Sequence, residues 1–336
     1  MIDASPQTWS RMPDHQGQPR AARVIAPGQT DIVPMVPRDP GPSEVRIAIE
    51  GCGVCASNLG PWAGPEWQQF PLPPGGLGHE AWGVIEAIGD EVHGLPPGTR
   101  VAFAGQHGFA THETVPAADV IVLPDELADM PVPAEPLGCA VNIFRRAAIS
   151  GADTVAIIGI GFLGALLVQQ ASQAGARVIA ISRRDSSLEL ARRMGADHTI
   201  AMEDHWQVID HVKTLTDDHM CPVVIEVVGK QWPLDLAAEL VCEGGRLVIG
   251  GYHQDGPRQV NMQMWNWKGM DVINAHERDP QVIRRGMRDA VRAVAGGLLD
   301  PMPLYSATYP LEGLAAALDA TRDKPGRFVK ALIACK

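Results

Sequence analysis

The 336 residues carry 28 Lys and Arg against 39 Asp and Glu, a formal charge of −11, with 46% hydrophobic and 5% aromatic residues. So acidic a chain, with no run of Lys or Arg, repels a phosphate backbone, and nucleic acid is not an expected partner. Any anionic ligand must be held by local guanidinium groups or helix N-termini. The length exceeds the roughly 250 residues that one core usually supports and predicts two domains.

Six cysteines scattered over such a length make no disulfide framework and read as buried thiols or metal ligands. Residues 1–20 have no apolar core, and apolar stretches elsewhere are interrupted by Gly, Gln or charge before membrane-spanning length. No membrane partner is expected, and the expected location is the cytoplasm.

In chain order, residues 1–20 are polar, with Pro13, Gly17 and Pro19, and read as a loosely ordered arm. From Arg23 to about Asp119, short β-type runs at 45–49, 81–88 and 99–103 alternate with Pro and Gly, the pattern of a small barrel or sandwich. After Ser150 the pattern changes. Apolar runs at 154–158, 176–181, 223–228, 246–249 and 272–275 alternate with helical segments at 162–174, 188–194 and 234–242, predicting βαβ units and a doubly wound parallel sheet of about six strands. A last strand is expected over 328–334. The expected organisation is an arm (1–20), a β-rich domain (21–145), a dinucleotide-binding domain (146–290) and a C-terminal segment (291–336) returning to the first domain.

Between the run at 154–158 and the following helix stand Gly159, Ile160, Gly161, Phe162, Leu163 and Gly164, a GxGxxG fingerprint. A lone match is weak, but here it has the strand and helix that it needs: a tight turn, close backbone approach to a pyrophosphate, and a helix N-terminus that favours an anion. At the end of the next strand an NAD-binding domain usually carries a carboxylate for the ribose 2′-hydroxyl; this chain has Ser182, Arg183 and Arg184. A carboxylate beside a 2′-phosphate would cost about 4 kcal/mol at about 4 Å with an effective dielectric near 20, and guanidinium groups reverse that sign. NADP(H) is therefore expected over NAD(H). The rival reading makes both arginines solvated and assigns the ribose contact to Asp185.

A catalytic zinc site gathers Cys, His and carboxylate from distant segments and leaves one position open. Candidate segments are Gly53-Val54-Cys55-Ala56-Ser57-Asn58 after a β run, Gly78-His79-Glu80 before another, and Ala134-Glu135-Pro136-Leu137-Gly138 ahead of the second domain. In this order before the GxGxxG, with 83–89, Pro97-Gly98-Thr99-Arg100-Val101 and Gly195-Ala196-Asp197, they resemble the zinc-dependent alcohol, polyol and threonine dehydrogenase branch of the medium-chain dehydrogenase/reductase superfamily, from about Ala22 to Lys336.

That resemblance implies an α/β fold with a GroES-like catalytic domain and a Rossmann domain. It also implies hydride transfer between NADP(H) and an alcohol/carbonyl pair, and a homodimer or homotetramer associated through the strand at 272–275. It makes Cys55, His79 and Glu135 zinc ligands and Glu80 a ligand exchangeable with water. Ser57 becomes the hydroxyl that bonds substrate and starts proton transfer, unless it merely caps a helix. Cys139 is the rival for the corner given to Glu135, or a buried thiol. Asn58 stands where relatives carry an Asp orienting the imidazole, and Leu59 and Gly60 replace the usual relay His. No cysteine lies between Cys55 and Cys139, so one zinc per subunit is expected. Trp62, Trp67 and Phe70 could line a substrate cleft or pack a turn, and His93, His107 and His112 read as loop or surface residues. Two rival readings are a zinc-free NADPH reductase of enones or quinones, and a non-catalytic cofactor sensor.

Overall fold

The computed structural model describes residues 17–335, so the expected N-terminal arm lies almost wholly outside the described residues. Contacts divide the chain into two compact units. One comprises residues up to Pro136 with Met287–Ala295 and the chain from Met302; the other comprises Leu137–Gly286 and Gly296–Pro301.

The first unit opens with β1 (Arg20–Ala26) and β2 (Gln29–Pro34), an antiparallel pair turning at Gly28. There follow β3 (Glu44–Gly53), β4 (Ala81–Ile88), β5 (Arg100–Phe103), β6 (His112–Pro116) and β7 (Val120–Val122). The second unit supplies β8 (Thr154–Ile158), β9 (Arg177–Ser182), β10 (His198–Ala201), β11 (Cys221–Glu226), β12 (Val241–Ile249) and β13 (Asp271–Asn274). The chain then returns to the first unit with β14 (Tyr305–Pro310) and β15 (Lys330–Ala334).

In the first unit the sheet order is β14-β15-β3-β4-β5-β7, with β6 also on β3. The alternating residues Val45, Ile47 and Ile49 of β3 turn into a core shared with Trp62, Phe103 and Phe109 and with Leu314, Leu318 and Ile333 from the end of the chain. This is the period-two burial of a sheet with one covered face. A buried ion pair lies in that interior. The guanidinium of Arg100, at the start of β5, donates to Glu50 Oε2 at 2.7 Å and to the carbonyls of Leu127 and Met130 at 2.5 and 2.7 Å. Both side chains are almost fully buried, so every donor must find an acceptor. The result pins the segment that leads into the helix Ala134–Ala147.

The second unit is a six-stranded parallel sheet in the order β10-β9-β8-β11-β12-β13, the doubly wound order of a dinucleotide-binding fold. The interiors of its central strands, Val155–Ile158 and Val178–Ile181, are apolar and fully buried because helices cover both faces. Two local expectations need correction. Strand β10 was not anticipated, being four residues long at the sheet edge with only Ile200 buried. The helix expected over 234–242 spans Gln231–Leu240 and stops before Cys242, because Val241 turns extended and starts β12. Lys268 Nζ donates to the carbonyls of Ala238, Glu239 and Val241 and so satisfies that helix end. Among the described residues no helix is long and apolar enough to cross a membrane.

Candidate functional site

Strand β3 runs out at Gly53, and the chain turns through Cys55 into a short 3-10 turn, Ala56–Asn58, followed by the helix Leu59–Ala63. Asn58, buried under that turn, accepts from Cys55 N–H through Oδ1 at 3.0 Å and donates through Nδ2 to Leu77 O at 3.0 Å. The same Leu77 carbonyl faces His79 Nδ1 at 2.9 Å. A carbonyl only accepts, so Nδ1 carries a ring proton, and Nε2 is the nitrogen that offers a lone pair to a metal ion once its own proton has left. Leu77 has φ of 73°, a left-handed conformation costly for a branched side chain; here it aims one carbonyl at both groups. Asn58 therefore acts on the imidazole through this carbonyl, where the resemblance implied that its position orients the ring directly.

One ligand atom each from Cys55, His79 and Glu80 lie within 4.8 Å of one another, so sulfur, imidazole nitrogen and carboxylate oxygen converge. Glu80 is fully buried, and among the described residues its Oε1 has no hydrogen-bond partner. An orphaned carboxylate oxygen inside a protein is costly unless something cationic meets it. With this donor set, the residues fit a zinc ion.

Lys330, the first residue of β15, was not foreseen. Its Nζ lies 2.6 Å from Glu80 Oε2 and 3.2 Å from Val54 O, and it is as buried as its partner. Burial opposes its charge, but Glu80, Cys55 and Glu135 outweigh burial and raise it above the ordinary lysine value. Gly53 exists for this pair: a Cβ there would fall 1.9 Å from Glu80 Oε2 and 3.0 Å from Lys330 Cε. Glu135, half-buried in the first turn of Ala134–Ala147, lies outside the tight triad, but its charge bears on both His79 and Lys330. Cys139 is one helical turn further on.

Ser57 is half-buried in the 3-10 turn and caps neither helical piece; those positions belong to Cys55 and Asn58. Trp62 is core, donating to Asp319 Oδ1 at 3.0 Å, and Phe70 packs against the same core, while Trp67 is exposed. His93 and His107 are exposed. His112 is not a surface residue: it is buried on β6, with Nδ1 2.9 Å from Thr111 Oγ1.

In the second unit, β8 ends at Ile158 and Gly159 takes φ of 101°, where a Cβ would sit 2.4 Å from Val228 Cγ2. Gly161 is the N-cap of the helix Phe162–Gln173, and a Cβ there would meet nothing within 4 Å, so the backbone is approachable where a ligand would lie. At Gly164 a Cβ would stand 2.0 Å from Gly159 O, so helix and turn close only on glycine. Phe162 and Leu163 sit half-exposed in the first helical turn. Ser182 ends β9, Arg183 is exposed, and Arg184 is the extended residue before the helix Asp185–Arg193. Half-burial pushes the Arg184 guanidinium below its ordinary value. Asp185 starts the helix as an exposed first-turn carboxylate, favoured there by the helix dipole without any ligand.

Comparison with known proteins agrees with these two units. Residues 41–125 match the model of the alcohol dehydrogenase GroES-like domain, and residues 163–294 that of the zinc-binding dehydrogenases. The chain is 34% identical over 315 residues to an alcohol dehydrogenase of Geobacillus stearothermophilus, covering 82% of this chain and 88% of that one. It is 26% identical over 316 residues to an L-threonine 3-dehydrogenase of Bacillus velezensis, covering 83% and 88%. A protein of Sinorhizobium meliloti described as a zinc-binding dehydrogenase, solved bound to NADP, superposes with a TM-score of 0.80 at 26% identity over 95% of this chain and all of that one. The chain belongs to the medium-chain dehydrogenase/reductase superfamily, in its alcohol, polyol and threonine dehydrogenase branch, and is an oxidoreductase.

Burial opposes protonation of the imidazole, but the hydrogen bond and charge of Cys55, with the charges of Glu80 and Glu135, outweigh it and raise His79 from 6.5 to about 10. Below that value the metal-free imidazole holds a proton that an incoming metal ion must displace. Zinc affinity should therefore climb with pH, about tenfold per unit for each proton released. Chelator competition between pH 7 and 9 should show this rise; an affinity that stays flat would contradict the assignment.

Proposed function

We propose that the chain is a zinc-dependent dehydrogenase that exchanges a hydride between NADP(H) and a secondary alcohol or polyol and its carbonyl. The observation that carries this reading is the convergence of Cys55, His79 and Glu80 around an unpartnered buried carboxylate oxygen. Cys55, His79 and Glu135 would hold the ion, and Glu80, tethered by Lys330, would be the ligand that comes and goes. When bound, zinc supplies a Lewis acid that polarises the substrate oxygen, and the nicotinamide supplies the hydride acceptor or donor.

The remaining tasks fall to side chains. Ser57, not engaged in capping, would bond the substrate hydroxyl and take its proton while passing on its own. With Leu59 and Gly60 following, the proton leaves by a route that does not use a histidine there. The Leu77 carbonyl fixes the tautomer of His79. Elemental analysis of protein purified without chelator should find one zinc per chain, and Cys55→Ser should remove both metal and activity. A fully active metal-free enzyme would favour the zinc-free reductase reading.

The cofactor preference rests on Ser182, Arg183 and Arg184 at the end of β9. Guanidinium groups bind a 2′-phosphate bidentately, and charge-assisted hydrogen bonds contribute about 1.5–3 kcal/mol each. Two of them should favour NADP(H) in kcat/KM by at least about a hundredfold. Replacing Arg183 and Arg184 together by Ala should erase most of that preference, mainly by weakening NADP(H). An unmodified enzyme that uses NAD(H) equally well would show that the arginines are only surface groups.

The subunits would associate through β13. Among the described residues that strand pairs only with β12, and Val272 on it and Trp267 just before it are exposed. An open edge beside apolar surface invites pairing with a second copy. Sedimentation should give a dimer or tetramer at micromolar concentration; a monomer would refute the assignment.

A further inference from the structure

At the C-terminal ends of β11 and β12 the second unit holds a polar cluster that the proposed chemistry does not use. Glu226, the last residue of β11, is fully buried. Its Oε1 accepts from the N–H groups of Val228 and Gly229 at 2.6 and 2.7 Å. Its Oε2 lies 3.1 Å from His253 Nε2, and its main-chain carbonyl accepts from Gly250 and Gly251 N–H at 2.8 and 2.9 Å. One residue thus ties the turn after β11 to the loop after β12.

The other side of His253 decides how its ring is used. Arg258 Nε donates to His253 Nδ1 at 2.8 Å, and a guanidinium only donates, so Nδ1 bears no proton. Nε2 must then carry the hydrogen and donate it to Glu226. Arg258 also donates to Gly229 O at 2.8 Å, and it pairs with Asp255, which in turn pairs with Lys230. Lys230 and Arg258 together hold the Asp255 carboxyl far below its usual range. Both the N–H and the C=O of Gly229 are thereby fixed, the first by Glu226 and the second by Arg258.

What this network holds is the wall of the dinucleotide turn. Val228 packs its Cγ2 where a side chain on Gly159 would be, and Val227 Cγ2 stands 3.3 Å from the corresponding position on Gly164. Val228 is also 38% exposed, an apolar residue left open beside the GxGxxG backbone. We propose that Glu226, His253 and Arg258 form a clamp that sets the Val227–Gly229 turn against the dinucleotide turn, which makes His253 a positioning residue for nicotinamide-nucleotide binding. The inference rests on the reading of Gly159–Gly164 as the cofactor site, but not on the choice between NADP(H) and NAD(H), because none of the three residues belongs to the Ser182–Arg184 group.

The test compares His253→Ala with His253→Gln in the zinc-loaded full chain. A Gln amide offers one acceptor and one donor, as this imidazole does, so it can face Arg258 and Glu226 together. Calorimetric titration with NADPH and with NADH should show both affinities falling roughly tenfold in His253→Ala, the worth of one charge-assisted hydrogen bond, with their ratio unchanged. His253→Gln should stay within about threefold of the unmodified protein. Arg258→Met should weaken both nucleotides in the same direction and serves if His253→Ala does not fold. A residue that supports only the loop's stability would lower Tm and leave the affinities of the folded protein intact. Unchanged affinities in His253→Ala, or equal losses in the Ala and Gln variants, would overturn the clamp; an unmodified protein that binds neither nucleotide would overturn the cofactor reading beneath it.

Discussion

A carboxylate and an ammonium, Glu80 and Lys330, stand 2.6 Å apart, both buried. Desolvating two charges costs several kcal/mol each, and their attraction offsets that only with good geometry and further polar contacts. Much of the first unit's local structure follows from housing this pair. Gly53 has no side chain because one would occupy the carboxylate's place. The Val54 carbonyl takes a second share of the ammonium. Strand β15 reaches β3 from almost three hundred residues away, pairing Ile333 with Cys52 and so delivering Lys330 to the end of β3. A pair of well-packed apolar residues would serve stability as well or better, so the cost of these charges fits the proposed site better than it fits a stabilising role.

Much of this was legible in the sequence, for identifiable reasons. Apolar runs such as Thr154–Ile158 and Arg177–Ser182 announce a parallel sheet because strands covered on both faces have no polar side to show. The GxGxxG announces its turn because contacts of 2.0–2.4 Å at Gly159 and Gly164 admit no other residue. Cys55, His79 and Glu80, which the structure brings together, were legible through the resemblance that their segments carry in order; beside a β run each segment alone said little. Strand β10 was illegible because four residues at a sheet edge leave too short a pattern, and the helix before β12 was overrun because Val241 and Cys242 suit either conformation.

The site's supporting atoms were legible only in part. Lys330 could have been noticed as a lone charge inside the run Phe328-Val329-Lys330-Ala331-Leu332-Ile333, where a buried strand tolerates no charge without a partner. Nothing in the sequence reveals the Leu77 carbonyl, since a main-chain oxygen has no letter and its direction depends on a left-handed φ at a residue that seldom adopts one. The ties from Glu226 through His253 to Arg258 join residues 27 and 5 apart across two loops and were equally invisible. In both units the recognisable motif supplies the groups that would meet ligand, while less recognisable residues hold those groups in place.

The proposed zinc ion would be held by one thiolate with imidazole and carboxylate, a ligand set that can be read directly from the metal. X-ray absorption fine structure of the zinc-loaded protein should fit a single sulfur at about 2.3 Å, with the remaining ligands nitrogen or oxygen at about 2.0–2.2 Å. A fit requiring two sulfurs would bring Cys139 or Cys52 into the coordination sphere and contradict the ligand set of Cys55, His79, Glu80 and Glu135.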